Sequence, residues 1–279
     1  MNVISFANYK GGVGKTTSVV NTSRALTENG FKVLVVDLDP QGNSTLTLSR
    51  QNPFEHEKTV GNLLFDKDLT VARCLVKTPV GVDLLPANLN SYPLVSGLPP
   101  NSAKRIYGLK NKLQDVEGHY DYILVDCPPQ IEGALITNAI AASDYYVLPI
   151  EGESVYALQG VDHLIQAIDL IREDTGSGIR LLGALMTMVD ARTKAGKMVM
   201  DAINKYFVDL VFQTVIHRNT TINKANLSNR CVCDLDSRSV GCRDYRAFAA
   251  ELADRIDKAS KYKKIIRIRN GQANNQIKK

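Results

Sequence analysis

Short apolar runs rich in β-branched residues alternate along this chain with longer stretches of mixed apolar and polar positions. The runs predict strands at residues 3–7, 32–37, 82–86, 122–126, 145–150, 181–189 and 211–216. Near-continuous apolar strands separated by helices are typical of a parallel sheet that is covered on both faces. The pattern therefore predicts an α/β fold with a doubly wound, mostly parallel sheet.

The helical stretches set the predicted domain limits. The first helix is expected over residues 16–29, closing at Gly30. Near the other end, DYRAFAAELADRIDKASKY (244–262) is typical of an amphipathic helix that buries Phe248, Leu252 and Ile256. The chain has little apolar content beyond about Lys263, where we expect regular structure to fray. We therefore predict one domain over residues 1–262 and a basic tail over 263–279.

The composition is that of an ordinary globular protein, and it argues against membrane-spanning, secreted and disulfide-rich proteins. The 279 residues are 44% apolar and 23% charged, and no apolar run approaches the roughly 20 residues of a membrane-spanning helix. The start, MNVISFANYK, does not resemble a secretory signal. An odd number of cysteines, five, favours a reducing cytoplasm over a disulfide framework.

Three of the cysteines, Cys231, Cys233 and Cys242, lie within twelve residues, and Cys127 follows Asp126. A zinc site would favour a C-x₂-C pair and a fourth ligand, which C-x-C-x₈-C without a nearby histidine does not supply. We therefore expect free thiols rather than a metal site.

The net charge of +5 is placed unevenly along the chain. Residues 255–279 contain nine Lys or Arg and one acid, Asp257, so this segment is +8 and the rest of the chain is −3. A basic end on a mildly acidic body indicates a polyanionic partner, either nucleic acid or anionic lipid. The alternative is a solvated tail that only aids solubility.

The stretch FANYKGGVGKTTS (6–18) predicts a phosphate-binding loop. Its end matches G-x-x-x-x-G-K-[ST], although Tyr9 stands where the first glycine is expected and a second lysine, Lys10, follows. A strand precedes the loop and a helix follows it, so backbone N–H groups can form an anion nest. That nest would comprise Gly11, Gly12, Val13, Gly14 and Lys15. The alternative is a glycine-rich turn with an accidental lysine.

The side chains of this loop have separate expected roles. Lys15 would bridge the β- and γ-phosphates, Thr16 would offer its hydroxyl to Mg²⁺, and Thr17 would reach the α-phosphate. The expected cofactors are thus ATP and Mg²⁺.

KGGVGKTT resembles the deviant Walker A motif of the ParA/MinD group of ATPases, and the resemblance extends over roughly residues 1–255. It implies that Lys10 crosses a dimer interface and contacts the nucleotide of the partner subunit, while Lys15 serves its own. Two triphosphates that face each other concentrate negative charge, which extra cations offset. The alternative is that Lys10 lines its own phosphate site.

Two acidic motifs at predicted strand ends are similar to the family's switches. VVDLDPQGNST resembles the first switch, which implies that Asp39 positions the attacking water, with Asp37 at the strand end. YDYILVDCPP resembles the second switch and places Asp126 at the metal-supporting position. The predicted catalytic residues are Lys10, Lys15 and Asp39, and the predicted metal site comprises Thr16, Asp39 and Asp126.

Other segments favour one branch of the family. D-P-Q-G-N, TMVDARTK (187–194) and TVIHRN (214–219) resemble the ParA/Soj branch rather than MinD. In relatives the last two segments hold adenine, which implies contacts from Asp190 and from the backbone around His217 and Arg218. Relatives usually have Pro where His217 stands. The cysteines that would bridge a cluster in the related nitrogenase iron protein are not found, so electron transfer is not expected.

The ParA/Soj resemblance also implies a basic surface that binds DNA non-specifically when ATP drives dimerisation. The candidate DNA contacts are Arg218, Arg230, Arg238, Arg243, Arg246, Lys258, Lys261, Lys263, Lys264, Arg267 and Arg269. A MinD-like alternative places the segment KKIIRIR (263–269) on anionic lipid. Its short apolar face and the D-P-Q-G-N switch favour DNA, and we expect no membrane partner.

The resemblance implies a cytoplasmic, nucleoid-associated homodimer that hydrolyses ATP. A ParB-like or adaptor protein bound to the cargo would stimulate hydrolysis. The cargo stays open between a plasmid, a chromosome and a protein compartment such as a carboxysome.

Overall fold

Six of the seven predicted strands, together with a short strand that was not predicted (β3, Val76–Lys77), form one seven-stranded sheet in the computed structural model of the protein. The structure describes residues 1–99, 102–153, 158, 160–190 and 192–276, with side chains described up to residue 261 except that of residue 195. The strands are β1 (Asn2–Phe6), β2 (Val33–Asp37), β3 (Val76–Lys77), β4 (Asp83–Leu85), β5 (Tyr122–Asp126), β6 (Tyr145–Glu151) and β7 (Arg180–Thr187).

The strand order is β3-β4-β2-β5-β1-β6-β7, and every adjacent pair is parallel except β3 with β4. This arrangement confirms the predicted α/β class. Because β1 lies between β5 and β6 at the centre, the loop that follows β1 opens in the middle of the carboxyl edge of the sheet. Open α/β sheets bind their ligands at this edge.

Helices cover both faces of the sheet. They are α1 (Lys15–Glu28), α2 (Asn43–Ser49), α3 (Val60–Phe65), α4 (Val71–Cys74), α5 (Tyr92–Ser96), α6 (Ala103–Leu113), α7 (Ala134–Ala142), α8 (Val161–Thr175), α9 (Lys194–Phe207), α10 (Thr220–Leu227), α11 (Val232–Leu235) and α12 (Val240–Gln276). Alternate residues of each strand enter two separate cores: Leu34 packs on one face and Val35 on the other. Within the described part of the chain, no helix is both long enough and apolar enough to span a membrane.

Helices α1 and α12 share one face of the sheet with an aromatic cluster. Phe248 meets Phe6 and Phe212 edge to face, at centroid distances of 6.3 and 4.8 Å. Phe248, Leu252 and Ile256 are all buried, as the amphipathic pattern predicted. Helix α1, which follows the predicted phosphate loop, packs directly on α12, the helix that carries the basic end of the chain.

The strand predicted at residues 211–216 does not form. This segment makes isolated bridges to β7 at Val211 and to Val189 at His217, because the carboxylate of Glu251 accepts the backbone N–H groups of Gln213 and Thr214, each at 2.8 Å. These two N–H groups are therefore not available for the hydrogen bonds of a strand ladder.

Helix α12 extends to Gln276, past residue 262, where fraying was expected. Ion pairs at i,i+4 spacing, Asp254 with Lys258 and Asp257 with Lys261, support the helix before that point. No proline interrupts it afterwards.

The expectation of free thiols is wrong for two cysteines. Cys233 in α11 and Cys242 in the first turn of α12 form a disulfide, with Cα atoms 4.8 Å apart. The short turn between the two helices brings the chain back on itself, so two cysteines separated by 9 positions come into contact. Cys74, Cys127 and Cys231 are free and buried.

Candidate nucleotide site

The loop between β1 and α1 forms an open cradle. Gly12 and Gly14 have φ values of +76° and +85°, a backbone conformation that glycine adopts without strain. A Cβ added at Gly11 or Gly12 would meet nothing within 4 Å, so the backbone there faces open space. An anionic group can therefore approach the N–H groups at the start of α1 closely.

The Lys15 ammonium is held inside this loop. Lys15 is 7% exposed, and its Nζ donates to the carbonyl oxygen of Lys10 at 3.1 Å. Burial lowers the pKa of Lys15, and the opposing charges of Asp126 and Asp39 act in the other direction. This cation is largely desolvated and is close to two carboxylates. It can therefore bind an anion that carries more charge than a carboxylate, such as a polyphosphate.

Asp126, at the end of β5, presents an unpartnered carboxylate oxygen. Its Oδ2 accepts the Ser44 hydroxyl at 2.7 Å, whereas its buried Oδ1 has no hydrogen-bond partner among the described residues. Burial raises the pKa of Asp126 to about 6. The Thr16 hydroxyl is close enough to interact with this carboxylate. Hard oxygen donors, one of them a buried carboxylate oxygen without a hydrogen-bond partner among the described residues, fit Mg²⁺.

Asp37 lies directly opposite Asp126 in the register of β2 and β5. It is fully buried, and burial together with the neighbouring Asp126 charge raises its pKa. Its carboxylate accepts the Thr45 N–H at 2.8 Å, the Thr45 hydroxyl at 2.7 Å and the Asp39 N–H at 3.1 Å. Asp37 thus organises the segment between β2 and α2.

Asp39 follows in that segment and lines the nucleotide cavity. Its Oδ1 accepts the Gln41 N–H at 3.0 Å, which fixes the carboxylate. Burial raises the pKa of Asp39 above its usual value. A carboxylate held here is suited to orient a water molecule toward a phosphate in the loop.

A cavity of about 560 Å³ extends from the phosphate loop to the end of β7. Its loop end contains the predicted Lys15, Thr16, Thr17 and Asp39. Its far end is lined by Met188, Ile216, His217, Arg218, Asn219, Ile222, Asn223, Asn226 and Tyr245. The polar end suits a polyphosphate, and the mixed apolar end suits a nucleoside.

The structure separates the three residues predicted at the adenine end. His217 and Arg218 line the cavity, whereas Asp190 is not among the described residues that line it. The Asp190 carboxylate pairs with the Arg192 guanidinium at 2.7 and 2.8 Å, and hydrogen bonds from Arg192 lower the pKa of Asp190 to about 2. The adenine contact of Asp190 stays a prediction.

Sequence reasoning missed a row of amides at this end. Asn219, Asn223 and Asn226 line the cavity from the start of α10 and along one of its faces. The Asn226 Nδ2 also donates to the Thr17 hydroxyl at 3.4 Å. The signal was present in the sequence, because asparagines spaced by four and three residues share a helix face.

Lys10 is held at the edge of the site rather than deep within it. Its Nζ lies 3.0 Å from Glu151 Oε2 at the end of β6, and its side chain is 37% exposed. The Lys10 N–H donates to Asn8 Oδ1 at 3.0 Å, and Asn8 Nδ2 donates to the Pro149 carbonyl at 2.7 Å. The loop and β6 therefore fix the position of this lysine.

Most of the predicted DNA-binding side chains that the structure describes are bonded to neighbours in the same chain. Arg246 bonds Glu28 through two nitrogens at 2.8 Å, and Arg218 pairs with Glu153. Lys258 and Lys261 pair within α12, and Arg230 donates to a backbone carbonyl. Arg238 and Arg243 are exposed and form no ion pair with the described residues. The side chains of Lys263, Lys264, Arg267 and Arg269 lie outside the described ones.

The family model described as "AAA domain" matches residues 1–181. The chain is 37% identical to the sporulation initiation inhibitor protein Soj of Bacillus subtilis, covering 90% of this chain and 98% of that protein. It is also 37% identical to the chromosome-partitioning ATPase Soj of Thermus thermophilus, covering 92% and 97% of the two chains. The chain belongs to the ParA/MinD family of ATPases. This membership confirms the family that the motifs predicted.

Solved structures share the fold of this chain. The Mycobacterium smegmatis protein named cobyrinic acid a,c-diamide synthase, solved with an ATP analogue and magnesium, aligns with a TM-score of 0.77 at 33% identity, covering 90% of this chain and 93% of that chain. A single-residue variant of Cyanothece McdA in complex with ATP aligns with a TM-score of 0.79 at 19% identity, covering 92% of this chain and 96% of that chain, which shows the shared fold.

Proposed function

We propose that this protein is a partition or positioning ATPase that dimerises on ATP and binds DNA without sequence preference. Hydrolysis of ATP releases it from DNA. The observation that carries the proposal is the pair of lysines in one loop. Lys15 is buried beside the cavity, while Lys10 is held at its edge by Glu151. Two cations placed so differently are suited to two nucleotides rather than one.

ATP and Mg²⁺ suit the residues at the loop end of the cavity. The nest at residues 11–15 and the Lys15 ammonium would bind the β- and γ-phosphates. Thr16 and Asp126 would hold the metal, whose charge neutralises part of the charge that develops on the phosphates. Asp39 would orient the attacking water, since its carboxylate lines the cavity and is fixed by the Gln41 N–H.

Dimerisation would complete the site. In a two-fold assembly each Lys10 meets the triphosphate of the partner, because the same surface of each subunit contacts its symmetry mate. Within its own subunit, the Glu151 carboxylate holds the Lys10 ammonium near the opening until the partner's triphosphate competes for it. We infer that ATP, which carries the additional phosphate, favours the dimer over ADP.

DNA binding would use the exposed cations near the α11–α12 junction and the basic end of α12. Arg238 and Arg243 are exposed, and residues 255–279 carry a charge of +8. Such binding neutralises phosphates and releases counterions. We propose a cytoplasmic, nucleoid-associated protein whose hydrolysis a ParB-like or adaptor partner stimulates, with a plasmid, chromosome or protein compartment as cargo.

The test combines oligomeric state with DNA binding. The full chain is examined by light scattering and by binding to a random-sequence duplex, each with Mg-ATP, Mg-ADP and no nucleotide, at several salt concentrations. We expect a dimer and salt-sensitive DNA binding with ATP alone. A strictly monomeric ATP complex would overturn the proposal. ATP-dependent flotation with anionic vesicles, without DNA binding, would favour the MinD-like alternative.

A further inference from the structure

A histidine–aspartate pair stands at the far end of the nucleotide cavity. His217 lines the cavity, and its backbone N–H donates to Asp244 Oδ2 at 2.9 Å. The ring Nδ1 lies 3.0 Å from the same oxygen. The His217 side chain is 44% exposed, whereas that of Asp244 is 13% exposed. One carboxylate oxygen therefore fixes both the backbone and the ring of this histidine.

Two elements hold the pair in place. The Val189 N–H donates to the Ile216 carbonyl, and the Arg218 N–H donates to the Val189 carbonyl, each at 3.0 Å. Asp244 lies in the second turn of α12, next to Tyr245, which is 1% exposed and packs in the core. Because both partners belong to packed backbone, the imidazole is positioned before any ligand arrives.

The bond to Asp244 determines what the other ring nitrogen can do. An ionised carboxylate only accepts hydrogen bonds, so in the neutral ring the hydrogen resides on Nδ1. Nε2 is then left with a lone pair and can only accept. Such an atom attracts an amino group and repels a carbonyl oxygen.

The nucleoside end of the ligand should meet this acceptor. This step rests on the proposed function, which assigns the polyphosphate to the nest and Lys15. The remaining cavity offers Met188, Ile216 and Ile222 as apolar walls beside His217. Adenine carries an amino donor at its 6-position, and guanine carries a carbonyl acceptor there.

We propose that His217 Nε2 accepts a hydrogen bond from the 6-amino group of the base and so selects ATP over GTP. Asp244 is a positioning residue in this scheme, since it holds the ring and its tautomer without reaching the base. Specificity of this kind combines an attraction for the correct base with a repulsion for the wrong one.

The test compares three ligands on the full chain by calorimetry with Mg²⁺: ATP, GTP and purine riboside triphosphate, which lacks the 6-amino group. On the unaltered protein we expect ATP to bind about tenfold more tightly than purine riboside triphosphate, the equivalent of one net hydrogen bond. GTP should bind more weakly than either. In His217→Ala, the ratio between ATP and purine riboside triphosphate should fall to about one.

Two further variants separate specificity from structure. Asp244→Asn should shrink the same ratio, because an amide can donate to Nδ1 and release the tautomer. Arg218→Ala, at the neighbouring cavity-lining position, should leave the ratio unchanged even if it weakens every ligand. A merely structural role for His217 would weaken all three ligands equally and keep the ratio.

The outcomes are distinguishable from failure of the proposed function. If nucleotides bind the unaltered protein but the ratio is the same in His217→Ala, the inference is overturned and the proposed function stands. GTP binding equal to or tighter than ATP on the unaltered protein also overturns it. If none of the three triphosphates binds the unaltered protein, the proposed function fails and the inference falls with it. Thermal unfolding of each variant verifies that it is folded.

Discussion

The Lys10 ammonium and the Glu151 carboxylate form an ion pair, 3.0 Å from Nζ to Oε2, between the phosphate loop and the end of β6. The pair is partly exposed, so its own contribution to stability is small. Its effect is to hold a cation at the opening of the nucleotide site. Under the proposed function, the triphosphate held by a second subunit would compete with Glu151 for that cation.

Substitution of Lys10 should separate nucleotide binding from dimerisation. We expect Lys10→Ala to bind ATP with nearly unchanged affinity, because Lys15 and the backbone nest are intact. The dimer should weaken by at least about tenfold, since two uncompensated triphosphates would face each other. Sedimentation velocity with ATP over a range of protein concentrations measures the dimer.

Lys77→Ala is the matched control for that experiment. Lys77 is likewise paired with one carboxylate, Asp83, at 2.6 Å, but lies on the edge strand β3. This variant should dimerise as the unaltered protein does. An unchanged dimer in Lys10→Ala would remove the cross-subunit role of that lysine.

Lys15→Ala should abolish nucleotide binding. The substitution removes a buried ammonium that would make charge-assisted bonds to two phosphates, so we expect at least about a hundredfold loss of affinity. Because burial opposes the charged form of Lys15, as its lowered pKa indicates, the variant should unfold at no lower temperature. Fluorescent-nucleotide titration and a thermal melt measure the two effects, and ordinary affinity would contradict the site assignment.

Asp39→Ala should retain ATP and the dimer but stop turnover. Loss of a residue that orients or activates the nucleophile typically costs about 10²–10⁴ in rate. Asp169→Ala, which removes an exposed carboxylate paired with Arg172 on α8, serves as the control and should turn over normally. Phosphate release and light scattering on the same sample test both statements. Turnover within a few-fold of the unaltered protein would exclude this role.

The central part of the fold was predictable because its strands are buried on both faces. Strands β2 and β5 lie within one residue of their predicted limits, since an unbroken apolar run has few alternatives. The phosphate loop was equally predictable, because glycines at fixed spacing before a lysine let the backbone N–H groups approach a phosphate closely. Local pattern suffices where local chemistry determines the structure.

The rest depended on contacts between distant parts of the chain. Glu251 removes the backbone donors of residues 213 and 214 from a strand ladder, and no local pattern reports that. The pairing of His217 with Asp244 arises in the same way. Each joins α12 to a segment whose approach only the tertiary fold determines.

Arg243 should contribute more to DNA binding than Arg246. Both are on α12, but the Arg246 charge is compensated by Glu28 through two bonds at 2.8 Å, whereas Arg243 is exposed. Removing a phosphate contact should lower affinity and reduce the slope of log K against log salt by about 1. We expect this for Arg243→Ala and a smaller change for Arg246→Ala.

Fluorescence anisotropy on a random duplex measures that difference, with Asp39→Ala as background to keep the ATP state. Arg180→Ala, at the start of the edge strand β7, is the control and should leave the salt slope unchanged. Equal losses of DNA affinity in Arg243→Ala and Arg246→Ala would show that the pairing of Arg246 with Glu28 does not affect DNA binding.

Glu251 should make a pH-dependent contribution to stability. Burial acts to raise the pKa of Glu251, but the Thr214 and Gln213 amides and Arg255 outweigh it and hold the pKa below its usual value of 4.5. A carboxylate whose pKa is lower in the folded state contributes stability above its unfolded pKa, and this contribution is lost as the pH falls through the folded value. Glu251→Gln should therefore lower the free energy of unfolding at pH 7 by about 1–3 kcal/mol.

The difference in the free energy of unfolding between Glu251→Gln and the unaltered protein should shrink below about pH 4.5, because Glu251 is then protonated in the unfolded chain and, at lower pH, in the folded protein as well. Urea denaturation of both proteins at pH 7, 5 and 4 measures this. The control, Asp254→Asn, breaks only an exposed pair with Lys258 and should differ by less than about 1 kcal/mol at every pH. A destabilisation by Glu251→Gln that is the same at pH 7 and pH 4 would mean that shape, and not the charge accepting two backbone amides, is what this residue supplies.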